Sequence, residues 1–149
     1  MPADPRDCAG EILNTVPRIM QSLRVKMRGG RGPDLTVPQF RTLIFFGVRP
    51  GAALSAAAEH VGLTPPSMSR LVDGLVLRGL LSRRESPKDR RRVAIELTAS
   101  GRTLLEAARE ATLAIFASGL SALPEAEISG IARAMRSLRR VFGAEDVPP

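Results

Sequence analysis

Apolar residues recur at intervals of three and four along most of this chain, with one central stretch where the interval drops to two. Between about Arg6 and Arg28 they fall at Ile12, Leu13, Val16, Ile19, Met20, Leu23 and Met27, which is one stripe of a helix. Pro17 lies inside that stripe and is expected to kink or divide the helix, and Gly29-Gly30-Arg31-Gly32-Pro33 is expected to end it. A second helix is expected after Thr36, a suitable N-cap, with Pro38 in its first turn. Phe40, Leu43, Ile44 and Phe46 form its apolar face; it ends by Gly47, and Pro50-Gly51 makes a turn. Ser55 is expected to cap a short Ala-rich helix, Ala56 to Val61, which Gly62 closes just past its C-terminus.

Two residues later the chain reads Thr64-Pro65-Pro66-Ser67. Thr64 can cap a helix, and Pro65 and Pro66 fit its first turn, where a missing N–H costs nothing. Met68, Leu71, Val72, Leu75 and Val76 form the buried side up to Arg78-Gly79. Two helices joined by a short Gly-containing turn are the signature of a helix-turn-helix. The interval then drops to two. Leu80 to Glu85 reads as a strand, and Val93 to Leu97 as a second, with Val93, Ile95 and Leu97 alternating. The polar turn Ser86 to Arg92 joins them into a hairpin with a basic tip, a wing. Thr98-Ala99-Ser100-Gly101 caps a long helix carrying Leu104, Ala108, Ala111 and Ile115, which runs to about Gly119. Pro124 opens a last helix in which Ile128, Ile131, Met135, Leu138 and Phe142 make a seam suited to a partner helix, and the tail Glu145 to Pro149 is expected to fray. The fold expected is mainly α with a small β-hairpin wing. Within a single unit, 1–149, a winged helix-turn-helix lobe spans 36–97, and a helical lobe is built from 6–28 and 98–142.

Composition narrows the function. At 149 residues the chain forms one domain with a real core. One cysteine, Cys8, excludes an internal disulfide framework, and one histidine, His60, leaves no His pair for a metal. No nucleophile–base or metal constellation can be assembled, so no enzyme, catalytic residue, metal or cofactor is expected. The longest uncharged stretch, Ala111 to Pro124, is short for a membrane span, and the N-terminus lacks the long apolar run of a secretory signal. The expected home is the cytoplasm, with no membrane partner.

Charge changes the picture more. The net charge is +7, and 20 of the 22 basic residues are arginine. Genomic base composition can produce such a bias, but it does not explain position. From Arg70 to Arg92, eight basic residues (Arg70, Arg78, Arg83, Arg84, Lys88, Arg90, Arg91 and Arg92) face three acids, a net of +5. That excess sits on the second helix of the helix-turn-helix and on its wing, where it would neutralise phosphates and make binding salt-dependent.

The segment Leu63-Thr64-Pro65-Pro66-Ser67-Met68-Ser69-Arg70-Leu71-Val72-Asp73-Gly74-Leu75 resembles the recognition helix of MarR-type transcriptional regulators, and the likeness continues through Gly79 to Arg83. It is strongest over Asp89 to Gly101: an Asp, a basic residue two places on, then Leu-Thr and a Gly. The good match covers about Leu54 to Arg109. The resemblance implies a homodimer that binds double-stranded DNA at a pseudo-palindromic operator, leaning to repression until a small-molecule effector binds. Carried over by position, Ser67, Ser69 and Arg70, with Thr64 and Pro66 beside them, would face the major groove. Arg91 would be the minor-groove arginine, Asp89 the carboxylate that orients it, and Lys88, Arg90 and Arg92 the rest of the wing tip. Arg83 and Arg84 read as backbone contacts. Dimer contacts are expected from Ile12, Val16 and Ile19 of the first helix and Ile128, Ile131, Met135, Leu138 and Phe142 of the last, because these stripes exceed what one small lobe can cover.

The effector stays unspecified. The chain has no Tyr or Trp, so a pocket would be walled by aliphatic groups and Phe, with Arg or His60 as polar handles, although the phenylalanines read first as core. His60, in the last turn of a helix, reads as a surface residue stabilised by the helix dipole. Some relatives sense peroxide through one cysteine near the start of the first helix, where Cys8 stands. Here the partnering tyrosines are absent, and Asp4 and Asp7 would raise the thiol pKa and slow oxidation. The alternative from another class is a winged-helix module whose basic face meets an acidic protein partner.

Overall fold

In the computed structural model the structure describes residues 4–29 and 34–143. Among these residues six helices and two strands follow in order: α1 (Pro5–Gly29), α2 (Val37–Val48), α3 (Leu54–Val61), α4 (Pro65–Leu77), β1 (Leu81–Glu85), β2 (Val93–Leu97), α5 (Ala99–Leu120) and α6 (Glu125–Phe142). The mainly helical fold with its β-hairpin wing is the one the sequence predicts. None of the described helices is long and apolar enough to cross a membrane. Of the break expected at residues 29–33, Gly29 is the last residue of α1 and 30–33 lie outside the described residues, as does the tail 145–149 expected to fray.

Local chemistry explains most boundaries. Thr36 caps α2 by accepting the Gln39 N–H at 3.3 Å, while the Gln39 side chain accepts the Thr36 N–H at 2.9 Å, a reciprocal capping box. Thr64 caps α4 through the Ser67 N–H, and Thr98 caps α5 through the Gly101 N–H. α3 and α4 end alike. Gly62 (φ 79°) and Gly79 (φ 70°) adopt the left-handed conformation that an L side chain resists. The next residue then folds back, Leu63 N–H onto Ala58 O and Leu80 N–H onto Leu75 O, both at 2.9 Å.

Three local expectations are corrected. α1 is not divided at Pro17, because one lost hydrogen bond does not break 25 residues of otherwise continuous helix. α3 begins at Leu54, so Ser55 lies inside it, and its N-cap Ala53 makes no side-chain bond. β1 starts at Leu81 because Leu80 is used in ending α4.

β1 and β2 pair antiparallel, with Leu81 opposite Leu97 and Glu85 opposite Val93. The free side of β2 is partly covered: Gly51 N–H, in the turn after α2, donates to Ile95 O at 3.0 Å. The strict alternation expected of β2 therefore fails. Ala94 is buried beneath that turn, and Val93 at the tip end is exposed.

One core joins α2, α3, α4, the hairpin and the start of α5. Leu43, Phe46, Met68, Val72, Leu75 and Leu81 are its largest wholly buried apolar side chains. Phe45 belongs to it too, packed edge-on to Phe46 with ring centroids 5.2 Å apart, although the periodicity of α2 does not single it out. The outer helices differ. Among the residues whose burial is described, only Leu23 is buried in α1, only Gly101 and Ala108 in α5, and none in α6.

Candidate nucleic-acid interface

The start of α4 is built by its cap. Thr64 Oγ1 accepts the Ser67 N–H at 3.3 Å and lies 2.9 Å from Ser67 Oγ, so the two hydroxyls share a hydrogen bond. Thr64, Pro66, Ser67 and Arg70 are exposed and Ser69 is half-buried, while Met68, Val72 and Leu75 on the opposite side fill the core. Burial of one stripe fixes which stripe faces out. The polar stripe is the one that carries the residues expected at DNA.

Seven residues make the wing tip, and they are compact. Ser86 N–H donates to Arg92 O and Arg92 N–H to Asp89 O, both at 2.9 Å, closing a turn within a turn. Asp89 holds this tip from inside: Oδ1 accepts the Arg91 main-chain N–H at 3.0 Å, and Oδ2 lies 3.9 Å from Arg92 Nε. The carboxylate thus meets Arg91 at its backbone, and its side-chain ion pair is with Arg92. Lys88, Arg90, Arg91 and Arg92 all project into solvent.

All eight basic residues between Arg70 and Arg92 are exposed. Besides Arg92, two are also tied to neighbours. Arg78 Nη2 donates to Asp34 O at 3.0 Å, and Arg83 Nη2 donates to Asp73 Oδ1. Arg84 is exposed on the strand beside Arg83.

Behind the interface lies a contact that sequence reasoning missed. Arg41 of α2 donates to His60 O at 2.8 Å and to Val61 O at 3.2 Å, capping the C-terminus of α3. A cation at a helix C-terminus satisfies orphan carbonyls and suits the dipole. Arg41 fills the role expected of His60. His60 instead stacks on Phe45 with centroids 5.2 Å apart. Burial first, and then Arg41 and Arg49, hold its pKa below the usual 6.5. Half-buried and with two guanidiniums nearby, the imidazole is favoured neutral.

Among the described residues, those expected at a dimer contact are left largely uncovered. Ile12, Ile128 and Leu138 are half-buried, and Val16, Ile19, Ile131, Met135 and Phe142 are exposed, Met135 by 49% and Phe142 by 76%. Cys8 is exposed near the start of α1. Among the described residues no group of three or more His, Cys, Asp or Glu is placed to hold a metal ion. A shallow open depression of about 530 Å³ lies against the first turns of α5, lined by Leu80, Ala99, Ser100, Thr103, Leu104 and Ala107.

Comparison with known proteins follows the same geography. The profile of the MarR family matches residues 34–92, from just before α2 to the wing tip. An uncharacterised HTH-type transcriptional regulator of Bacillus subtilis, YhbI, is 39% identical over 75 residues, covering 50% of this chain and 49% of the relative. The chain spans about half the length of the curated relatives it matches. Among solved structures, RV1404 from Mycobacterium tuberculosis superposes with a TM-score of 0.79 at 26% identity, covering 98% of this chain and 99% of that one. The MarR family protein RV2887 of the same organism, solved in complex with p-aminosalicylic acid, gives a TM-score of 0.70 at 25% identity over 87% of this chain and 96% of that one.

Proposed function

Because residues 34–92 match the profile of the MarR family and lie in a winged-helix architecture like that of its solved members, we propose that this chain is a DNA-binding transcriptional regulator, a homodimer that binds a pseudo-palindromic operator and represses until an effector releases it. The observation that carries this reading is the exposure of every basic side chain from Arg70 to Arg92 on α4 and the hairpin. In it, α4 enters the major groove with Thr64, Pro66, Ser67, Ser69 and Arg70, and Arg70 reads a base edge. Ser67 Oγ, shared with Thr64, is suited to a phosphate near the helix N-terminus. The wing tip enters the minor groove with Arg91, on a turn that Asp89 stiffens, flanked by Lys88, Arg90 and Arg92. Arg84 lies along the backbone.

Residues 36–97 form the DNA-binding lobe in this reading, and 6–28 with 98–142 the dimerisation lobe. An α6 with no buried residue and an apolar seam from Ile128 to Phe142 supports that division. So does the exposed stripe of α1. Pairing two chains through these faces would set the recognition helices about one turn of DNA apart. The effector belongs to the part of the reading that comes from the family. Lacking Tyr and Trp, its site would grip an apolar ligand through aliphatic walls.

The test is a gel-shift series with duplexes selected by the protein from a random pool, repeated from low to high salt. A steep salt slope with a preferred two-fold sequence supports the regulator. Failure to bind any duplex overturns it in favour of an acidic protein partner for the same face.

A further inference from the structure

The recognition helix carries an acid on its outward side. Asp73 stands three residues after Arg70 and four after Ser69, so the three share one surface row of α4. Asp73 is exposed, and a bare carboxylate in that row would repel phosphates. It is not bare, because Arg83 Nη2 donates to its Oδ1. The reason Arg83 reaches it is the strand period. Leu81 is buried in the core beneath α4, and Arg83 is in phase with Leu81, so it leans to the helix side while Arg84 points the other way. The ion pair therefore bridges the two elements that carry the basic surface, ten residues apart in sequence.

We infer that Asp73 and Arg83 form a positioning pair for DNA binding: Arg83 neutralises Asp73 instead of a phosphate, and the pair sets the stance of the wing on the recognition helix. Arg83 then differs in kind from Arg84, its neighbour in sequence and its equal in charge. Exposed ion pairs add little to folding stability, so the effect falls on sequence discrimination. A wing free to shift against α4 still meets phosphates, but it no longer places Arg70 and Arg91 on the duplex in one register.

The inference rests on the DNA-binding reading, and the experiment separates the two. Wild type, Arg83→Gln, Arg83→Lys, Arg84→Gln, Asp73→Asn and the Arg83→Gln/Asp73→Asn double variant are titrated across a salt series. Two probes are used: poly(dI-dC), and a duplex that wild type selects from a random pool. Arg84→Gln is expected to lower the salt slope by about one unit per copy, as loss of a phosphate contact does. Arg83→Gln is expected to leave the slope on poly(dI-dC) unchanged while the preference for the selected duplex falls by about tenfold. Asp73→Asn, which frees Arg83 for phosphates, raises poly(dI-dC) affinity severalfold and lowers the preference. The double variant loses less preference than the product of the two singles, and Arg83→Lys, which keeps the charge pair, stays near wild type. If Arg83→Gln lowers the slope as Arg84→Gln does, keeps the preference, and combines additively with Asp73→Asn, Arg83 is an ordinary phosphate contact and the inference fails. If wild type binds neither duplex, the DNA-binding reading itself fails.

Discussion

α5 is seated closely on the end of α4, and Gly101→Ala tests that joint. Gly101 is buried in the first turn of α5, capped by Thr98. A Cβ there would overlap the Leu80 carbonyl oxygen, stand 2.9 Å from that carbonyl carbon and press on Leu97 Cδ2 at 3.1 Å. The obstruction is backbone on one side and helix on the other, so no rotamer change relieves it. Relief requires α5 to lift. That lift breaks two bonds clustered on the same turn, Thr98 N–H to Leu80 O at 3.2 Å and Thr98 Oγ1 to Gly79 O at 2.6 Å. Each is worth about 1 kcal/mol. Overpacking adds about 1–3 kcal/mol, and alanine returns about 1 kcal/mol as the better helix former. The net loss is about 2–4 kcal/mol, a fall of roughly 5–15 °C in midpoint for a domain of this size. With no Trp or Tyr in the chain, far-UV circular dichroism is the readout, at one fixed protein concentration because association shifts the midpoint. Gly119→Ala in the same helix is the control. Nothing lies within 4 Å of its Cβ, so it should be neutral or stabilising by up to about 1 kcal/mol. Equal midpoints for Gly101→Ala and Gly119→Ala would refute the close seating of α5 on Leu80.

Arg91→Ala should weaken duplex binding at least tenfold and leave oligomeric state unchanged; equal affinity at moderate salt counts against the wing assignment. Arg70→Ala should relax base preference at one position per half-site by about 1–3 kcal/mol, read by selection from a random pool. A fully retained preference there removes Arg70 from base reading. The double variant Ile131→Glu/Met135→Glu should sediment as a folded monomer, since both side chains are exposed within one chain and charge is costly in an apolar seam; a persisting dimer relocates the interface. For His60, the folded pKa lies below the unfolded 6.5, so the unfolded chain takes up the proton first as the pH drops. The stability tied to its neutral form is whole above 6.5 and is lost as pH falls below it toward the folded value. The difference in urea midpoint between wild type and His60→Gln should therefore be constant above pH 7 and shift toward the variant in acid, and a flat difference down to pH 5 contradicts the burial of the ring and the placement of Arg41 and Arg49 around it.

Much of this fold is written in short-range chemistry. Thr36, Thr64 and Thr98 cap helices because each stands three residues before a free N–H, and Gly62 and Gly79 stop helices because they alone adopt the left-handed turn there. The stripes of α2 and α4, the period-two hairpin and the clustering of charge from Arg70 to Arg92 involve neighbours within a few residues of each other, so they can be read along a line. The same reasoning errs where local rules are weak: one proline does not outweigh the rest of α1, and Ser55 lies one residue inside its helix.

Other features arise only when distant segments meet. Arg41 caps α3 from nineteen residues away, and no property of Arg41 in sequence announces it. That same arginine, with Arg49 and the Phe45 ring, turns His60 from an expected cation into a neutral stacking partner. Gly51 donates to Ile95, and so Ala94 is buried where alternation would expose it. Gly101 is needed because Leu80 lies against it, and Arg83 faces Asp73 because the hairpin folds onto α4. Periodicity can name a buried stripe, since it depends only on spacing along one element. It cannot name that stripe's partner, since partnership depends on how two elements pack, and packing is decided by the whole core at once.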